Sequence, residues 1–294
     1  MKIYSVAWGW TPVPEDMPQG DSLLQIADQV AALGFDGIDY LSTFESLDSY
    51  FTAGRCRRIR EHCAGLGLDI GGFVFQSSNW NNPDPAVTSE QLRFFAKCAL
   101  AAVELGAGTI SCIIPGPFGA RGTRAGASPS EPRSLKLPAD YSWQQDWDRF
   151  VGSLTQAVDI AADHGLRVAL ECFPGSLCST PHAMLQVLRD VGRPNFGIQL
   201  DTAHLMNQHI DVETAVYMLG GKNILNVHLK DSDGLTRGNL PPGSGLIDYV
   251  AFLAALKNVG YEGTASIEVE FTDNPRRYMK QGLGHIRQIL DGTL

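Results

Sequence analysis

Four ionisable residues stand at the ends of four short apolar runs, and their side chains together could bind a divalent cation. Each run reads as a β-strand with one of these groups at its C-terminal end. The groups, with their runs, are Glu171 (167–171), Asp201 (196–201), His228 (224–228) and Glu268 (264–268). Three carboxylates and one imidazole, with no thiolate, favour Mn²⁺ or Mg²⁺, and Co²⁺ or Zn²⁺ could substitute. We therefore predict one divalent metal site, with Mn²⁺ as the expected ion.

Each of these residues alone has an ordinary structural explanation. A single carboxylate at a strand end is often a salt-bridge partner or a loop cap, and a lone histidine is usually a hydrogen-bonded structural residue. Four such groups at equivalent positions on consecutive strands favour a shared site, because the C-terminal ends of parallel strands converge on one rim of an α/β barrel. Glu270 lies on the same strand face as Glu268 and could replace it.

The elements that must position these groups repeat along the chain as an amphipathic helix, a glycine turn and a short strand. Glycine after a helix accepts the left-handed conformation that ends it. The seven glycines at these joints are Gly34, Gly67, Gly106, Gly165, Gly192, Gly220 and Gly260. A further strand within residues 1–8 gives eight. Eight strands alternating with helices predict a single-domain (β/α)₈ TIM barrel over residues 1–294.

Two local features support the barrel over an open doubly wound sheet. An open sheet would have a glycine-rich phosphate loop after its first strand, whereas residues 9–14 read Gly-Trp-Thr-Pro-Val-Pro. The residues two positions before each candidate ligand should also point into the barrel. These are Ala169, Gln199, Asn226 and Ser266, all small or polar. Such residues suit a barrel interior beneath a hydrated metal.

Bulk composition excludes several classes of partner. The chain has 294 residues and a formal net charge of −9, which argues against binding nucleic acid through neutralised phosphates. Its six cysteines are scattered without a CxxC pair, which suits a reducing compartment. The chain also lacks a signal-like start or a long apolar stretch. We expect a cytoplasmic protein with no membrane partner.

Five segments resemble the xylose isomerase-like barrels of the sugar phosphate isomerase and epimerase family. That family includes D-tagatose and D-allulose 3-epimerases, hydroxypyruvate isomerase, inosose dehydratase and, more distantly, endonuclease IV. The segments are Leu-Glu-Cys-Phe-Pro (170–174), Gln-Leu-Asp-Thr-Ala-His (199–204), Asn-Val-His-Leu-Lys-Asp (226–231), Gly-Ser-Gly-Leu-Ile-Asp (243–248) and Gly-Tyr-Glu-Gly-Thr-Ala-Ser-Ile-Glu (260–268). The resemblance covers nearly the whole chain, and it does not identify one substrate.

The resemblance implies a role for each matching residue. The four groups named above would bind one divalent metal, and Glu171 and Glu268 would also act as an acid/base pair on opposite faces of the substrate. His204 is similar to the family's substrate-contacting histidine. Arg237 is similar to the arginine that binds a substrate oxygen beside the metal. The expected substrate is a small carbohydrate: a sugar, a keto-sugar or a related polyol.

The chemistry that this arrangement suits is proton abstraction from carbon beside a carbonyl, through an enediolate. A divalent metal would stabilise the developing negative oxygens as a Lewis acid. Two carboxylates permit epimerisation, whereas one base acting on one face gives aldose–ketose isomerisation, and the sequence does not choose between them. A lyase on the same scaffold, either a dehydratase or a 3-keto-glycoside β-eliminating enzyme, is the main alternative.

Two rivals are weaker. An endonuclease IV-like phosphodiesterase would need further histidines, but the third and fourth strands contain none and none closely follows His228. A metal-dependent, non-catalytic sugar-binding protein would have little reason to place two carboxylates across a substrate from each other.

Two features of the predicted catalytic rim could set specificity. The loop at 115–142 is long and rich in glycine and proline, so it could form a lid or a contact between copies of the chain in a homo-oligomer. Aromatic residues also follow several strands, and their faces suit the C–H faces of a sugar. We predict substrate contacts for Trp8, Trp80 and Phe118.

Overall fold

The computed structural model describes residues 1–11, 20–77, 79–121, 135–235, 238–270 and 272–294. In these residues eight parallel strands close into a barrel in chain order, with β8 pairing back to β1. The strands are β1 Ile3–Val6, β2 Gly37–Ser42, β3 Asp69–Phe75, β4 Thr109–Ile113, β5 Arg167–Glu171, β6 Phe196–Asp201, β7 Ile224–Leu229 and β8 Ala265–Ile267. The predicted (β/α)₈ barrel is confirmed.

Helices surround the barrel and connect its strands. Those in the described residues are α1 Ser22–Leu33, α2 Phe44–Ser49, α3 Ala53–Gly65, α4 Pro85–Leu105, α5 Trp143–Asp163, α6 Pro181–Val191, α7 Thr202–Met206, α8 Val212–Leu219, α9 Tyr249–Asn258 and α10 Pro275–Leu290. All seven glycines of the predicted joints have positive φ; Gly34, at 87°, ends α1. The glycine pattern therefore marks the helix-to-strand joints correctly.

The apolar stripe of each long helix packs on the outside of the barrel. In α5 the stripe includes Phe150, Leu154 and Val158, which are all fully buried. Apolar surface buried in this way contributes about 25 cal/mol per Å², and this contribution holds such a helix against the strands. None of the helices in the described part of the chain has the length and apolar character needed to span a bilayer.

Strand register brings the candidate ligands to one end of the barrel. Glu171 and Asp201 are the last residues of β5 and β6, and Asp201 pairs directly with His228 of β7. Glu268 comes immediately after β8, and its backbone N–H donates to Leu229 O at 3.1 Å. Because all strands are parallel, these four residues converge on the C-terminal rim.

Candidate active site

Four buried side chains meet at the C-terminal rim: Glu171, Asp201, His228 and Glu268. One potential ligand atom from each lies within 4.8 Å of the others. His228 Nδ1 is 2.8 Å from Glu268 Oε2 and 3.6 Å from Glu171 Oε1, so both glutamates lie near the same ring nitrogen. The barrel thus brings together all four residues that the sequence predicted as a metal site.

Asp201 divides its two oxygens between two tasks. Its Oδ1 accepts from the backbone N–H of His204 at 2.8 Å and so caps the short helix α7. This cap places His204 beside the ligand group, with its Nε2 3.7 Å from Asp201 Oδ2 and 3.8 Å from Glu171 Oε1. The local Asp-Thr-Ala-His sequence therefore orients both a candidate ligand and a candidate substrate contact.

Glu268 is held by three neighbours. The indole Nε1 of Trp8 donates to its Oε1 at 3.0 Å. The ammonium of Lys230 lies 3.1 Å from its Oε2, which also faces the imidazole of His228. A buried carboxylate with these donors is fixed in one orientation, which is a requirement for a group that must face a substrate.

Burial and close charges shift the pKa values of the group in different directions. Burial tends to raise the pKa of Glu268, but Lys230 and His228 outweigh it and hold the pKa well below its ordinary value. Glu171 behaves alike: its pKa is lowered by His228 in spite of burial. For Asp201, burial prevails and the pKa is raised. Burial lowers the pKa of His228, but the two glutamates raise it well above its ordinary value.

The donor set fits a divalent cation. The carboxylate oxygen Asp201 Oδ2 is buried and has no hydrogen-bond partner among the described residues. An unsatisfied buried carboxylate oxygen is costly, and a bound cation would remove that cost. Three carboxylates and an imidazole also match the oxygen and nitrogen ligands of Mn²⁺, Mg²⁺, Co²⁺ and Zn²⁺.

A layer of polar side chains lies beneath the four candidate ligands, and it includes inward-facing residues that the strand alternation predicted. The amide of Gln199 accepts from Asn226 Nδ2 at 3.2 Å, and its Nε2 lies 3.4 Å from His228 Nδ1. Deeper in the barrel, Ser266 donates to the buried Asp39, which also accepts from the backbone N–H of Gly72 at 2.6 Å. Asp39 Oδ2 is 4.0 Å from His228 Nε2, which is too far for a hydrogen bond but close enough for its charge to act on the imidazole.

Glu171 and Glu268 of this group line a cavity of about 230 Å³ at the rim. Its wall combines apolar residues such as Val74, Ile113 and Phe173 with the polar side chains of His204 and Asn239. Pockets for drug-sized ligands hold roughly 300–1,000 Å³, so this one suits a smaller polar molecule. A cavity of about 850 Å³ at the opposite end of the barrel is larger, but the four carboxylate and imidazole groups do not line it.

The predicted aromatic contacts divide into one on the cavity wall and two elsewhere. Trp8 lines the cavity and donates to Glu268. Trp80 is 0% exposed, and its Nε1 donates to the carbonyls of Ser77 and Ile113, each at 3.1 Å. A buried indole N–H needs such partners, and in the structure this ring packs in the core; the substrate contact of Trp80 stays a prediction.

Phe118 also lies away from the cavity wall, and its substrate contact stays a prediction. Its side chain is 37% exposed and is not among the described residues that line the cavity. Its backbone N–H donates to the buried carboxylate of Asp146 at 2.8 Å, as does the Tyr141 hydroxyl at 3.0 Å. Asp146 thus anchors both sides of the long loop at 115–142, within which residues 122–134 lie outside the described residues. Arg237 also lies outside them, and its predicted substrate contact stays a prediction.

Sequence reasoning missed one charged residue of the cavity, Lys230. It lies two positions after His228, so strand alternation directs both side chains to the same side. That spacing was the signal that could have found it. Glu270, which the sequence offers as an alternative ligand to Glu268, also lines the cavity. Its Oε2 is 3.4 Å from Lys230 Nζ.

Comparisons with known proteins identify the family to which this fold belongs. The sequence pattern of the xylose isomerase-like TIM barrel matches residues 27–289. An inosose isomerase of Bacillus subtilis (strain 168) is 32% identical over 127 residues, which are 40% of this chain and 45% of that protein. An L-ribulose 3-epimerase of Mesorhizobium japonicum is 27% identical over 238 residues, 80% of this chain and 71% of that protein.

A solved structure shows the same fold over the full length. The D-psicose 3-epimerase with D-tagatose from Clostridium cellulolyticum H10 has a TM-score of 0.77 at 18% identity, covering 99% of each chain. With the inosose isomerases, and with an archaeal relative at 33% identity, the chain matches less than half of the relative's length. The family match spans most of this chain and agrees with the five resembling segments. The chain belongs to the xylose isomerase-like TIM-barrel family.

Proposed function

We propose that this protein is a divalent-metal-dependent epimerase or isomerase of a sugar, keto-sugar or related polyol. The observation that carries the proposal is the pair of buried glutamates that face one cavity from β5 and β8. Both carboxylates lie close to His228 Nδ1, at 3.6 Å for Glu171 and 2.8 Å for Glu268. Relatives named as an L-ribulose 3-epimerase and an inosose isomerase support the same reaction class.

Glu171, Asp201, His228 and Glu268 would hold the metal, with Mn²⁺ as the expected ion. When bound, a divalent cation would supply Lewis-acid stabilisation of negative charge on substrate oxygen. The orphaned oxygen of Asp201 supports this assignment, because it is buried and points at no donor within hydrogen-bonding distance in the described residues.

The two glutamates would divide the proton transfers. One carboxylate removes the proton from carbon beside the carbonyl, and the other returns a proton on the opposite face, which inverts that centre. Epimerisation requires both groups to reach the same carbon, and their convergence within one small cavity supports it. His204 would bind a substrate hydroxyl at the edge of this pair, and the indole face of Trp8 would cover the apolar side of the ring.

Deuterium exchange tests the proposal directly. Ketoses, inososes and 3-keto glycosides would be incubated with the Mn²⁺-loaded protein in D₂O, and NMR would follow both exchange and product identity. We expect exchange at a carbon beside the carbonyl together with an epimeric or isomeric product. Glu171→Gln and Glu268→Gln should lower the exchange rate at least about 100-fold, the scale of general acid–base catalysis.

A matched control separates chemistry from charge. Glu262→Gln removes the same charge from an exposed position at the opposite end of the barrel, and we expect its exchange rate to equal that of the wild type. Exchange that survives in both site variants would refute the assignment of the acid/base pair. A dehydrated or unsaturated product would instead identify a lyase, and binding without any exchange would identify a sugar-binding protein.

A further inference from the structure

Lys230 places a buried ammonium among the carboxylates of the candidate metal site. The side chain is 4% exposed, and its Nζ lies 3.1 Å from Glu268 Oε2, 3.4 Å from Glu270 Oε2 and 3.7 Å from Asp201 Oδ2. A buried lysine is costly unless it is paired, so three acidic neighbours explain why it is tolerated here. The same contacts place a fixed positive charge beside two of the four candidate ligands.

The backbone around Lys230 is fixed independently of these ion pairs. Thr202 Oγ1 donates to the carbonyl of Lys230 at 2.8 Å, and the backbone N–H of Lys230 lies 3.1 Å from the same oxygen. Across the cavity, the backbone N–H of Glu270 donates to Asn239 Oδ1 at 2.8 Å. Both partners of the Lys230–Glu270 pair therefore start from anchored backbone, and the ammonium is aimed at the ligand oxygens.

Charge counting shows what the ammonium contributes. The carboxylates of Glu171, Asp201, Glu268 and Glu270 carry four negative charges, and a divalent cation with a neutral imidazole balances two of them. Lys230, which is 3.1 Å from Glu268 and 3.4 Å from Glu270, supplies a third positive charge. Without it the excess negative charge would rise from one to two, which would oppose the formation of an enediolate in the same cavity.

We propose that Lys230 is a positioning residue that shares Glu268 Oε2 and Asp201 Oδ2 with the metal, weakens metal binding and favours the anionic transition state. This inference rests on the proposed function. It predicts that removing the ammonium changes metal affinity and catalysis in opposite directions. A purely structural lysine would not do this, since its loss would disturb the ligands and weaken both.

The test compares Lys230→Met with the wild type and with two further variants. Methionine keeps an unbranched side chain without the charge. Lys230→Arg keeps the charge, and it provides a second variant at this position if the methionine variant fails to fold. Lys222→Met removes a charge from an exposed position before β7, at the other end of the barrel. Mn²⁺ affinity would be measured by calorimetry without substrate, and proton exchange would be measured at saturating Mn²⁺.

We expect Lys230→Met to bind Mn²⁺ at least about tenfold more tightly, because a like charge near the ligands is removed. Exchange should fall at least about tenfold. Lys230→Arg and Lys222→Met should bind Mn²⁺ within about twofold of the wild type, because each keeps the charge at the site. The inference is overturned if a folded Lys230→Met binds Mn²⁺ no more tightly, or exchanges as fast, or if Lys230→Arg shows the tighter binding expected of a lost charge.

The outcome also separates this inference from the proposed function. Wild-type protein that binds Mn²⁺ but catalyses no exchange on any of the substrates would contradict the proposed function alone. The substrate-free Mn²⁺ titrations of the lysine variants would still decide whether the ammonium competes for the ligand oxygens.

Discussion

The hydrogen bond from Trp8 to Glu268 provides a sharp test of how the site is held. The indole Nε1 donates to Glu268 Oε1 at 3.0 Å, and both side chains are buried. Trp8→Phe removes this donor and keeps an aromatic ring. Trp10→Phe is the matched control, because the Trp10 indole donates at 2.9 Å to the neutral hydroxyl of Ser5.

The expected difference follows from the charge on the acceptor. A hydrogen bond to a charged group contributes about 1.5–3 kcal/mol, and one between neutral groups about 0.5–1.5 kcal/mol. The loss of ring volume is the same in both variants, so it cancels in the comparison. Trp8→Phe should therefore lower the free energy of unfolding by about 1 kcal/mol more than Trp10→Phe. If the same bond orients Glu268 for proton transfer, exchange should slow by about tenfold, which corresponds to about 1.4 kcal/mol.

Urea unfolding of the metal-free protein measures the stability change, and deuterium exchange at saturating Mn²⁺ measures the kinetic one. The Trp10→Phe variant should exchange at the wild-type rate. Equal losses of stability in the two variants, together with unchanged exchange in Trp8→Phe, would refute the view that this bond positions Glu268.

Three further predictions concern other parts of the chain. Mn²⁺ binding should weaken as pH falls and should release about one proton at neutral pH, because burial lowers the pKa of His228 but its carboxylate neighbours raise it overall. Calorimetry in two buffers of different ionisation heat measures the proton release, and the absence of any release would contradict the assignment of His228 as a ligand. Asp146→Ala removes the buried acceptor of Phe118 and Tyr141, so it should lower the free energy of unfolding by about 3 kcal/mol and speed proteolysis between these two residues. Unchanged cleavage would exclude an anchoring role for Asp146. Asp211→Ala removes the cap of α8 and should lower the free energy of unfolding by about 1 kcal/mol, whereas Asp211→Asn should lower it by less. Hydrogen bonds from the first turn of α8 lower the pKa of Asp211. The wild type should therefore be more stable than Asp211→Asn at pH values above 3.8, the ordinary pKa of the Asp211 carboxyl, and should lose this advantage as pH falls through the lower folded-state pKa. A stability difference that persists in acid would contradict this explanation.

The barrel and its four candidate ligands could be predicted because each rests on a local and repeated pattern. Glycines after helices, short apolar runs and period-3.6 stripes are properties of neighbouring residues. Parallel strands then place their C-terminal ends on one rim whatever the detailed packing. For this reason Asp201 and His228 could be expected to meet, and the β6–β7 register pairs them directly.

The same reasoning could not predict the surroundings of side chains whose neighbours come from distant segments. Trp80 and Trp8 both lie near strand ends, yet one ring is enclosed by Phe75 and Phe95 and the other reaches a carboxylate 260 positions away. No local pattern distinguishes them. Phe118 likewise follows β4, but its backbone N–H donates to the buried carboxylate of Asp146, 28 positions away.

By itself the sequence determined which residue types stand at the ends of which strands, because alternation and strand ends are written locally in the chain. Only the tertiary structure decided how those groups are charged and oriented. Barrel closure brings Trp8 of the N-terminal segment to Glu268, and the long side chain of Lys230 reaches two carboxylates on different strands. Electrostatic energy depends on distances of a few ångströms between such groups, and folding alone sets those distances.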